Sequence, residues 1–371
     1  MKKLRAFSLA LGASFTLLLT GCGADPTSPP ASDNKTSTST SDGTSTQAQA
    51  AESGKSSLPD PARLTGISQV ADIGDPVPIE GSFAQKLPVT LTDYEHNSVT
   101  VSDTSRILAL DINGTLSRTV IALGYGDRLV GRTVSSTEKA LQSLPVVTEN
   151  GHSINTEAII ALNPTVILAD RSVGPPESLD QLRAMGIPVV LVDPARSISH
   201  TRTLIETVAH ALGADEAGKA LAQRTESEIA SAQEQIAQWT PAQPLDIAFL
   251  YVRGTAGIFF ILGSEDGAGE LITHVGGRDV ASEHGITSVA PANAEALVAL
   301  NPQVIFVMKN GLESTDGLTG LLARPGVAQT RAGEHQRVVV IPDGISLAFG
   351  PQTGEILLAV ARALYGVDEA Q

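Results

Sequence analysis

The chain of 371 residues has one cysteine, few aromatic residues and far fewer basic than acidic residues. The single cysteine, Cys22, cannot form an internal disulfide, and no second thiol is available as a nucleophile. Lys and Arg number 25 against 40 Asp and Glu, and the net charge of −15 argues against nucleic acid as a ligand. An anionic ligand would have to be held by local positive charge against this overall field.

Most signatures of enzymes are also missing. The sequence has no Gly-x-Ser-x-Gly nucleophile elbow and no Gly-x-x-x-x-Gly-Lys phosphate loop. The glycine-rich segment 263–269 is explained more simply as a connecting loop than as an anion site. The remaining histidines and acids show no spacing typical of a zinc or manganese site. We therefore expect a binding protein and no enzymatic activity.

The N-terminus has the pattern of a targeting segment. Lys2, Lys3 and Arg5 precede an apolar run, residues 6–19, that is short for a membrane span. The run ends in Leu19-Thr-Gly-Cys22, which resembles the lipobox of bacterial lipoproteins. That resemblance implies a signal peptide, residues 1–21, cut before Cys22, which then carries the lipid. An ordinary secretory signal with an incidental cysteine is the alternative.

Residues 22–85 are predicted to be a flexible tether and lead-in. Up to about residue 61 they are rich in Ser, Thr, Gly, Ala and Pro, and this composition buries too little surface to offset its ordering entropy. A lipid anchor followed by a tether is typical of a protein at the extracellular face of the cell membrane.

The body of the chain contains a repeat. Residues 155–168 (Asn-Thr-Glu-Ala-Ile-Ile-Ala-Leu-Asn-Pro-Thr-Val-Ile-Leu) recur 138 positions later as residues 293–306 (Asn-Ala-Glu-Ala-Leu-Val-Ala-Leu-Asn-Pro-Gln-Val-Ile-Phe). Each copy predicts a short helix, a break at Asn-Pro and a strand buried on both faces. Because 138 residues is about the size of one domain, the repeat predicts two similar lobes with a ligand in the cleft between them.

The alternation of helices and strands predicts an α/β fold of two Rossmann-like lobes with mainly parallel sheets, joined by a long rigid helix. We assign residues 86–212 to an N-terminal lobe, 213–240 to the connecting helix and 241–371 to a C-terminal lobe. Residues 88–101 are expected to form a hairpin.

Three polar side chains suggest the ligand. In the strand that follows residue 244, alternation places Tyr251 and Arg253 on one face, at the carboxyl end where open α/β sheets bind ligands. A cation this close favours the phenolate, which suits ferric iron, and tyrosine is a known ligand of haem iron. His152 lies in a polar loop of the opposite lobe. An exposed histidine in a loop, or a Tyr-x-Arg pair on a strand, is usually explained by solvation or packing when it is considered alone. Because these residues lie in different lobes, their placement favours a role as axial ligands on the two faces of a flat molecule.

The chain resembles the haemin-binding lipoproteins of Gram-positive haemin uptake ABC transporters, in the helical-backbone class of substrate-binding proteins. The resemblance covers roughly residues 100–367. It implies that His152 and Tyr251 are the axial ligands of haem iron, that Arg253 supports the tyrosine, and that haem b is cargo for an ABC permease. The matching motifs are Ile-Leu-Ala-Leu-Asp-Ile-Asn-Gly-Thr at 107–115, Ala-Leu-Gly-Tyr-Gly-Asp-Arg-Leu-Val-Gly-Arg at 122–132, Gly-His-Ser at 151–153, both Glu-Ala…Leu-Asn-Pro segments, Tyr-Val-Arg at 251–253 and Phe-Gly-Pro at 349–351.

The sequence departs from that family at one docking position. Arg118 stands where relatives carry a glutamate that docks to the permease, and Glu270 is the candidate for docking in the C-terminal lobe. Arg171 and Lys309 each lie seven residues after a proline of the repeat, and we expect one or both of them to contact the haem propionates. A siderophore or corrinoid receptor is the alternative within the same class. A surface haem carrier that needs no permease is the alternative outside it.

Overall fold

The computed structural model describes residues 59–255 and 257–368. The predicted signal peptide, Cys22 and most of the predicted tether lie outside the described residues. The helices are α1 Thr115–Ala122, α2 Thr156–Ala161, α3 Pro176–Ala184, α4 Thr201–Ala211, α5 Asp215–Trp239, α6 Ala268–His274, α7 Val280–Glu283, α8 Ala294–Leu300, α9 Lys309–Ser314, α10 Gly317–Leu322, α11 Arg331–Glu334 and α12 Thr353–Tyr365. The strands are β1 Ile67–Gln69, β2 Val89–Thr92, β3 Ser98–Val101, β4 Ile107–Leu110, β5 Thr148–Glu149, β6 Ser153–Ile154, β7 Val166–Ala169, β8 Val189–Leu191, β9 Asp246–Arg253, β10 Ile258–Ile261, β11 Arg278–Asp279, β12 Ala290–Pro291, β13 Val304–Met308 and β14 Val338–Ile341.

The N-terminal lobe, β2 to β8 with α1 to α4, is built on a parallel sheet in the order β4-β7-β8. Every residue of these three strands is buried, as the unbroken apolar runs predict. Side chains on one face of β4 pack with α1, α4 and the first half of α5, and those on the other face pack with α2 and α3. The hairpin expected in residues 88–101 is present as β2 and β3.

The C-terminal lobe, β1 and β9 to β14 with α6 to α12, contains a seven-stranded sheet. Its order is β1-β14-β13-β9-β10-β12, and β11 also pairs with β9. The strands are parallel except for β10, which runs antiparallel to both β9 and β12. The strand β1 lies within the segment assigned to the lead-in and forms a parallel edge strand beside β14.

The repeat in the sequence is a repeat in the structure. Asn155 and Asn293 cap α2 and α8 in the same way, each accepting a hydrogen bond of 2.9 Å from the backbone N–H three positions on. Asn163 and Asn301, which precede the two prolines, both have positive φ, 44° and 41°. Asparagine tolerates this left-handed conformation, and it turns the chain into the buried strands β7 and β13.

The helix α5 joins the lobes. Its 25 residues correspond to a length of about 37 Å at about 1.5 Å per residue. Leu221 and Ala222 belong to the core of the N-terminal lobe, whereas Ile229 and Ile236 belong to that of the C-terminal lobe. The predicted architecture of two α/β lobes with parallel sheets and a long connecting helix is confirmed. In the described part of the chain, no helix is both long and apolar enough to cross a membrane.

Candidate ligand-binding site

Tyr251 and Arg253 lie on one face of β9, as alternation predicts. Ile247 and Phe249, on the same face, belong to a core cluster that Tyr251 borders, and the intervening residues belong to a different cluster. The guanidinium carbon of Arg253 lies 4.7 Å from the centroid of the Tyr251 ring. A cation over the ring face is attracted by the quadrupole of the ring.

Contacts with its neighbours fix the guanidinium of Arg253. Its Nη2 donates to Asp343 Oδ1 at 2.7 Å, and its Nη1 donates to the carbonyl oxygen of Val252 at 3.2 Å. The other carboxylate oxygen of Asp343 accepts from the backbone N–H of Asn310 at 2.8 Å. Gly311 packs so closely that a Cβ there would overlap the guanidinium. Sequence reasoning missed Asp343, which lies 90 positions after its partner.

His152 is exposed in the turn between β5 and β6. Asn150 and Gly151 have positive φ, 51° and 88°, so the turn is tight. The hairpin is tied to the segment after β7, because the N–H of Gly174 donates to the carbonyl oxygen of His152 at 2.9 Å. The histidine therefore lies beyond the carboxyl end of a central strand of the N-terminal lobe.

The two lobes face each other through the carboxyl ends of their strands. Residues 342–352, which follow β14, contact the start of α1, which follows β4. The segment after β8 contacts α6, since the N–H of Ile198 donates to Glu270 Oε2 at 3.2 Å. Tyr251 and Arg253 end β9 beside the first of these segments, and His152 lies at the facing edge of the other lobe. The sequence-predicted ligands thus lie at the carboxyl ends of strands in different lobes.

Arg118 joins the lobes and is not a surface residue. Its side chain is buried, its Nε donates to the carbonyl oxygen of Gly344 at 3.2 Å, and its Nη1 donates to Gln352 Oε1 at 2.6 Å. Its Nε also lies 3.6 Å from Glu138 Oε1, which accepts from the hydroxyl of Ser117 at 2.9 Å. Burial raises the pKa of Glu138, and the positive charge of Arg118 opposes that rise. The position that suggested permease docking from sequence is therefore part of the lobe interface.

A second buried charge cluster supports the N-terminal side of the interface. Asp111 accepts from the backbone N–H groups of Thr115 and Leu116, at 2.9 and 3.2 Å, and so caps α1. Arg196 pairs with Asp170 and lies 3.6 Å from Asp111. Burial raises the pKa of Asp111, and Arg196 opposes the rise. This cluster fixes the start of α1 and with it the position of the interface arginine.

The two cations expected at the propionates are in different situations. Arg171 is held by Glu95 at 2.5 and 2.6 Å, and this contact lowers the pKa of Glu95. Lys309 is exposed at the start of α9 and makes no ion pair with any described residue. Glu270, the docking candidate, uses Oε2 in the lobe contact described above.

Apolar side chains flank the tyrosine–arginine pair. Across the ladder, Phe260 is paired with Tyr251 and Ile258 with Arg253, so the paired side chains share a face. Ile258 is 44% exposed, and Ile112 and Val134 of the N-terminal lobe are 42% and 49% exposed.

Within residues 59–255 and 257–368, no group of three or more His, Cys, Asp or Glu is arranged to hold a bare metal ion.

A family model described as "Periplasmic binding protein" matches residues 112–344. The chain therefore belongs to this family, and it is a binding protein and not an enzyme. The predicted membership of the substrate-binding proteins of ABC transporters is confirmed.

The solved haem-binding protein HmuT is 51% identical to this chain with a TM-score of 0.81, and the match covers 83% of this chain and 100% of HmuT. HmuT has also been solved as single alanine variants of a histidine, a tyrosine and an arginine. An uncharacterized ABC transporter substrate-binding lipoprotein of Bacillus subtilis (strain 168), YvrC, is 26% identical over 314 residues, 82% of this chain and 95% of the relative. A vitamin B12-binding protein of Photorhabdus laumondii is 25% identical over 227 residues, 61% of this chain and 78% of the relative.

Proposed function

We propose that the protein binds haem b between its lobes, with Tyr251 and His152 as the axial ligands of the iron. The observation that carries the proposal is the guanidinium of Arg253 over the Tyr251 ring, held there by Asp343. Tyrosine is a known ligand of haem iron, and a fixed cation at this distance would offset the negative charge of the oxygen in a ferric complex. The half-exposed side chain of Ile258, paired across the ladder with Arg253, suits contact with a porphyrin.

The relationship with HmuT supports the same residues. In HmuT, the substituted histidine and tyrosine are 99 positions apart, and the arginine follows the tyrosine by two. His152 and Tyr251 are likewise 99 positions apart, and Arg253 follows by two. Identical spacing in a chain that is 51% identical favours the same set of side chains in both proteins.

The test of this function is a titration of the apo protein with ferric haem, followed by absorption. We expect a saturable Soret band whose position differs from that of free haem. A corrinoid is the second candidate, favoured by the similarity to a vitamin B12-binding protein. Cobalamin is therefore titrated in parallel, by calorimetry, and again in competition with bound haem. Tight cobalamin binding together with an unchanged haem spectrum would contradict the haem proposal.

Of the two cations predicted at the propionates, we propose Lys309 as the main contact. Lys309→Ala is expected to weaken haem binding a few-fold, and the loss should shrink at high salt because exposed ion pairs are screened. Arg171→Ala is the matched comparison and should change the affinity less, since Glu95 already holds that guanidinium. Dissociation constants measured at low and high salt check both. A larger loss for Arg171→Ala would reverse this assignment.

In the cell, we propose that the protein is anchored through acylated Cys22 at the extracellular face of the membrane and passes haem to an ABC permease. The lipobox-like segment and the family membership support this role. Glu270 remains the proposed docking carboxylate of the C-terminal lobe. A Cys22→Ser protein that stayed in the membrane fraction would contradict the anchor.

A further inference from the structure

Asp343 connects two parts of the molecule, the tyrosine–arginine pair of the proposed haem site and the interface between the lobes. Its carboxylate holds Arg253, which lies over the tyrosine ring. Its chain neighbour, Gly344, contacts Arg118 of the N-terminal lobe. The two residues belong to one short 3-10 turn, Asp343–Ile345, so they move together.

The contact at Gly344 leaves no free space. Its carbonyl oxygen accepts from Arg118 Nε at 3.2 Å, and a Cβ built on the glycine would overlap the side chain of Thr137. Both partners belong to the N-terminal lobe, and Arg118 and Gly344 are buried. Any separation of the lobes must therefore either break this contact or displace the turn.

The hold on Arg253 depends on the same turn. Asp343 Oδ1 accepts from Arg253 at 2.7 Å while the other oxygen accepts from the N–H of Asn310 at 2.8 Å, which fixes the carboxylate against the start of α9. Among the described residues, the other hydrogen-bond contacts of the guanidinium are a carbonyl oxygen at 3.2 Å and the sulfur of Met308 at 3.6 Å. A neutral carbonyl and a thioether attract a cation less than a carboxylate does. Displacement of Asp343 would therefore release Arg253 from the tyrosine ring.

We propose that Asp343 is a positioning residue for haem binding, and that it links lobe separation to the strength of the Tyr251 ligand. With the lobes together, the turn holds the guanidinium over the ring of the Tyr251 ligand. When a partner pulls the lobes apart, the turn follows the N-terminal lobe, the guanidinium is released, and the iron–tyrosine bond weakens. The inference rests on the proposed haem site and goes beyond it, because it assigns a route from the lobe interface to the iron ligand.

The first test asks whether Asp343 acts through Arg253. Haem release is measured by transfer to an excess of a haem-scavenging protein, for Asp343→Ala, Arg253→Ala and the double variant. Loss of a fixed cation–ring contact is expected to speed release roughly tenfold in either single variant. The double variant should be no faster than Arg253→Ala alone, and both single variants should shift the visible spectrum in the same direction. An Asp343→Ala effect that persists in full without Arg253 would overturn the proposal.

Two further variants separate positioning from folding. Asp343→Asn keeps an acceptor oxygen for the arginine and should restore part of the slow release, so the proposal stays testable if the alanine variant folds poorly. Asp246→Ala removes a comparable aspartate–arginine pair, with Arg278, at the opposite end of the same strand. This matched control should leave the spectrum and the release rate unchanged. Faster release in Asp246→Ala, with Asp343→Asn no slower than Asp343→Ala, would indicate a general loss of stability and would also overturn the proposal.

The second test asks whether the lobe interface acts through the turn. Gly344→Ala places a methyl group against Thr137, and since the φ of Gly344 lies outside the left-handed region, crowding is the only strain it adds. We expect faster haem release that is reversed by a compensating Thr137→Gly. Gly344→Ala should have little effect on the release rate in an Arg253→Ala background. If Gly344→Ala speeds release equally with and without Arg253, separation of the lobes alone frees the haem, and the proposed link through Asp343 is wrong.

These outcomes are distinct from failure of the proposed function. Haem binding that does not depend on Tyr251 would refute the axial-ligand assignment itself. Haem binding that depends on Tyr251 and Arg253, but not on Asp343, would refute only the positioning role.

Discussion

Replacement of Tyr251 by phenylalanine is expected to weaken ferric haem binding by roughly a hundredfold or more, since even residues that only support a metal ligand are worth about 10- to 100-fold. Phenylalanine keeps the ring on which the guanidinium of Arg253 lies and removes only the oxygen. The variant therefore separates coordination from stacking. The measurements are the dissociation constant and the absorption bands of tyrosine-ligated iron, which should disappear.

The comparison variants make this prediction specific. Tyr251→Ala should resemble Tyr251→Phe, because both lack the phenolate. Tyr94→Phe removes the hydroxyl of a half-exposed tyrosine in the N-terminal lobe and should bind haem like the unmodified protein. His152→Ala should alter the spectrum with a smaller loss of affinity, since a neutral imidazole adds no charge to the iron. A phenylalanine variant with an unchanged spectrum would rule out Tyr251 as a ligand.

Replacement of Arg118 by alanine is expected to lower the free energy of unfolding by about 3–5 kcal/mol, the usual cost of removing one partner of a buried ion pair. The variant leaves the carboxylate of Glu138 buried beside α1 without its countercharge. It also removes two hydrogen bonds to the C-terminal lobe, at Gly344 and Gln352. Urea unfolding followed by circular dichroism measures the loss.

Two controls test the cause of that loss. The double variant Arg118→Ala/Glu138→Gln removes the stranded charge, and it should be more stable than Arg118→Ala alone. Arg202→Ala breaks an exposed pair with Glu226 on the surface and should have only a small effect. Equal stability of the single and double variants would show that the buried carboxylate is not the source of the defect.

The defect of Arg118→Ala should also depend on pH. Burial raises the pKa of Glu138 in the folded protein, and without the arginine nothing of comparable strength opposes the rise. A carboxyl group whose pKa is higher when folded binds more protons in the folded state, so the free energy of unfolding falls as pH rises through that range. The variant should therefore recover stability relative to the unmodified protein as the pH is lowered from neutral towards the ordinary range of glutamate.

The sequence predicted well those features that depend on local sequence patterns. The repeated Asn-x-Glu-Ala and Leu-Asn-Pro segments encode a helix cap, a left-handed residue and a buried strand within fourteen positions, and both copies fold in this way. Period-two alternation was sufficient to place Tyr251 and Arg253 on one face. The connecting helix expected in residues 213–240 is observed as α5, Asp215–Trp239.

The features that sequence reasoning missed depend on pairs far apart in the chain. Arg118 and Gly344 are separated by 226 positions, and an arginine on a helix gives no local sign that it will be buried. The strand β1 has three residues and mostly exposed side chains, so it has neither an apolar run nor a clear alternation. Asp343 follows a strand in a Pro-Asp-Gly turn, and its composition explains the turn without indicating the cation that it holds.

The connecting helix affects how the molecule unfolds. Because Leu221 and Ile236 of one continuous helix are buried in different cores, melting either core exposes apolar surface that belongs to the same helix. The lobes are therefore not independent folding units. Proteolytic cleavage that removed one lobe would leave apolar side chains of the other exposed. Partial unfolding is therefore unfavourable, and the population should consist of fully folded and fully unfolded molecules.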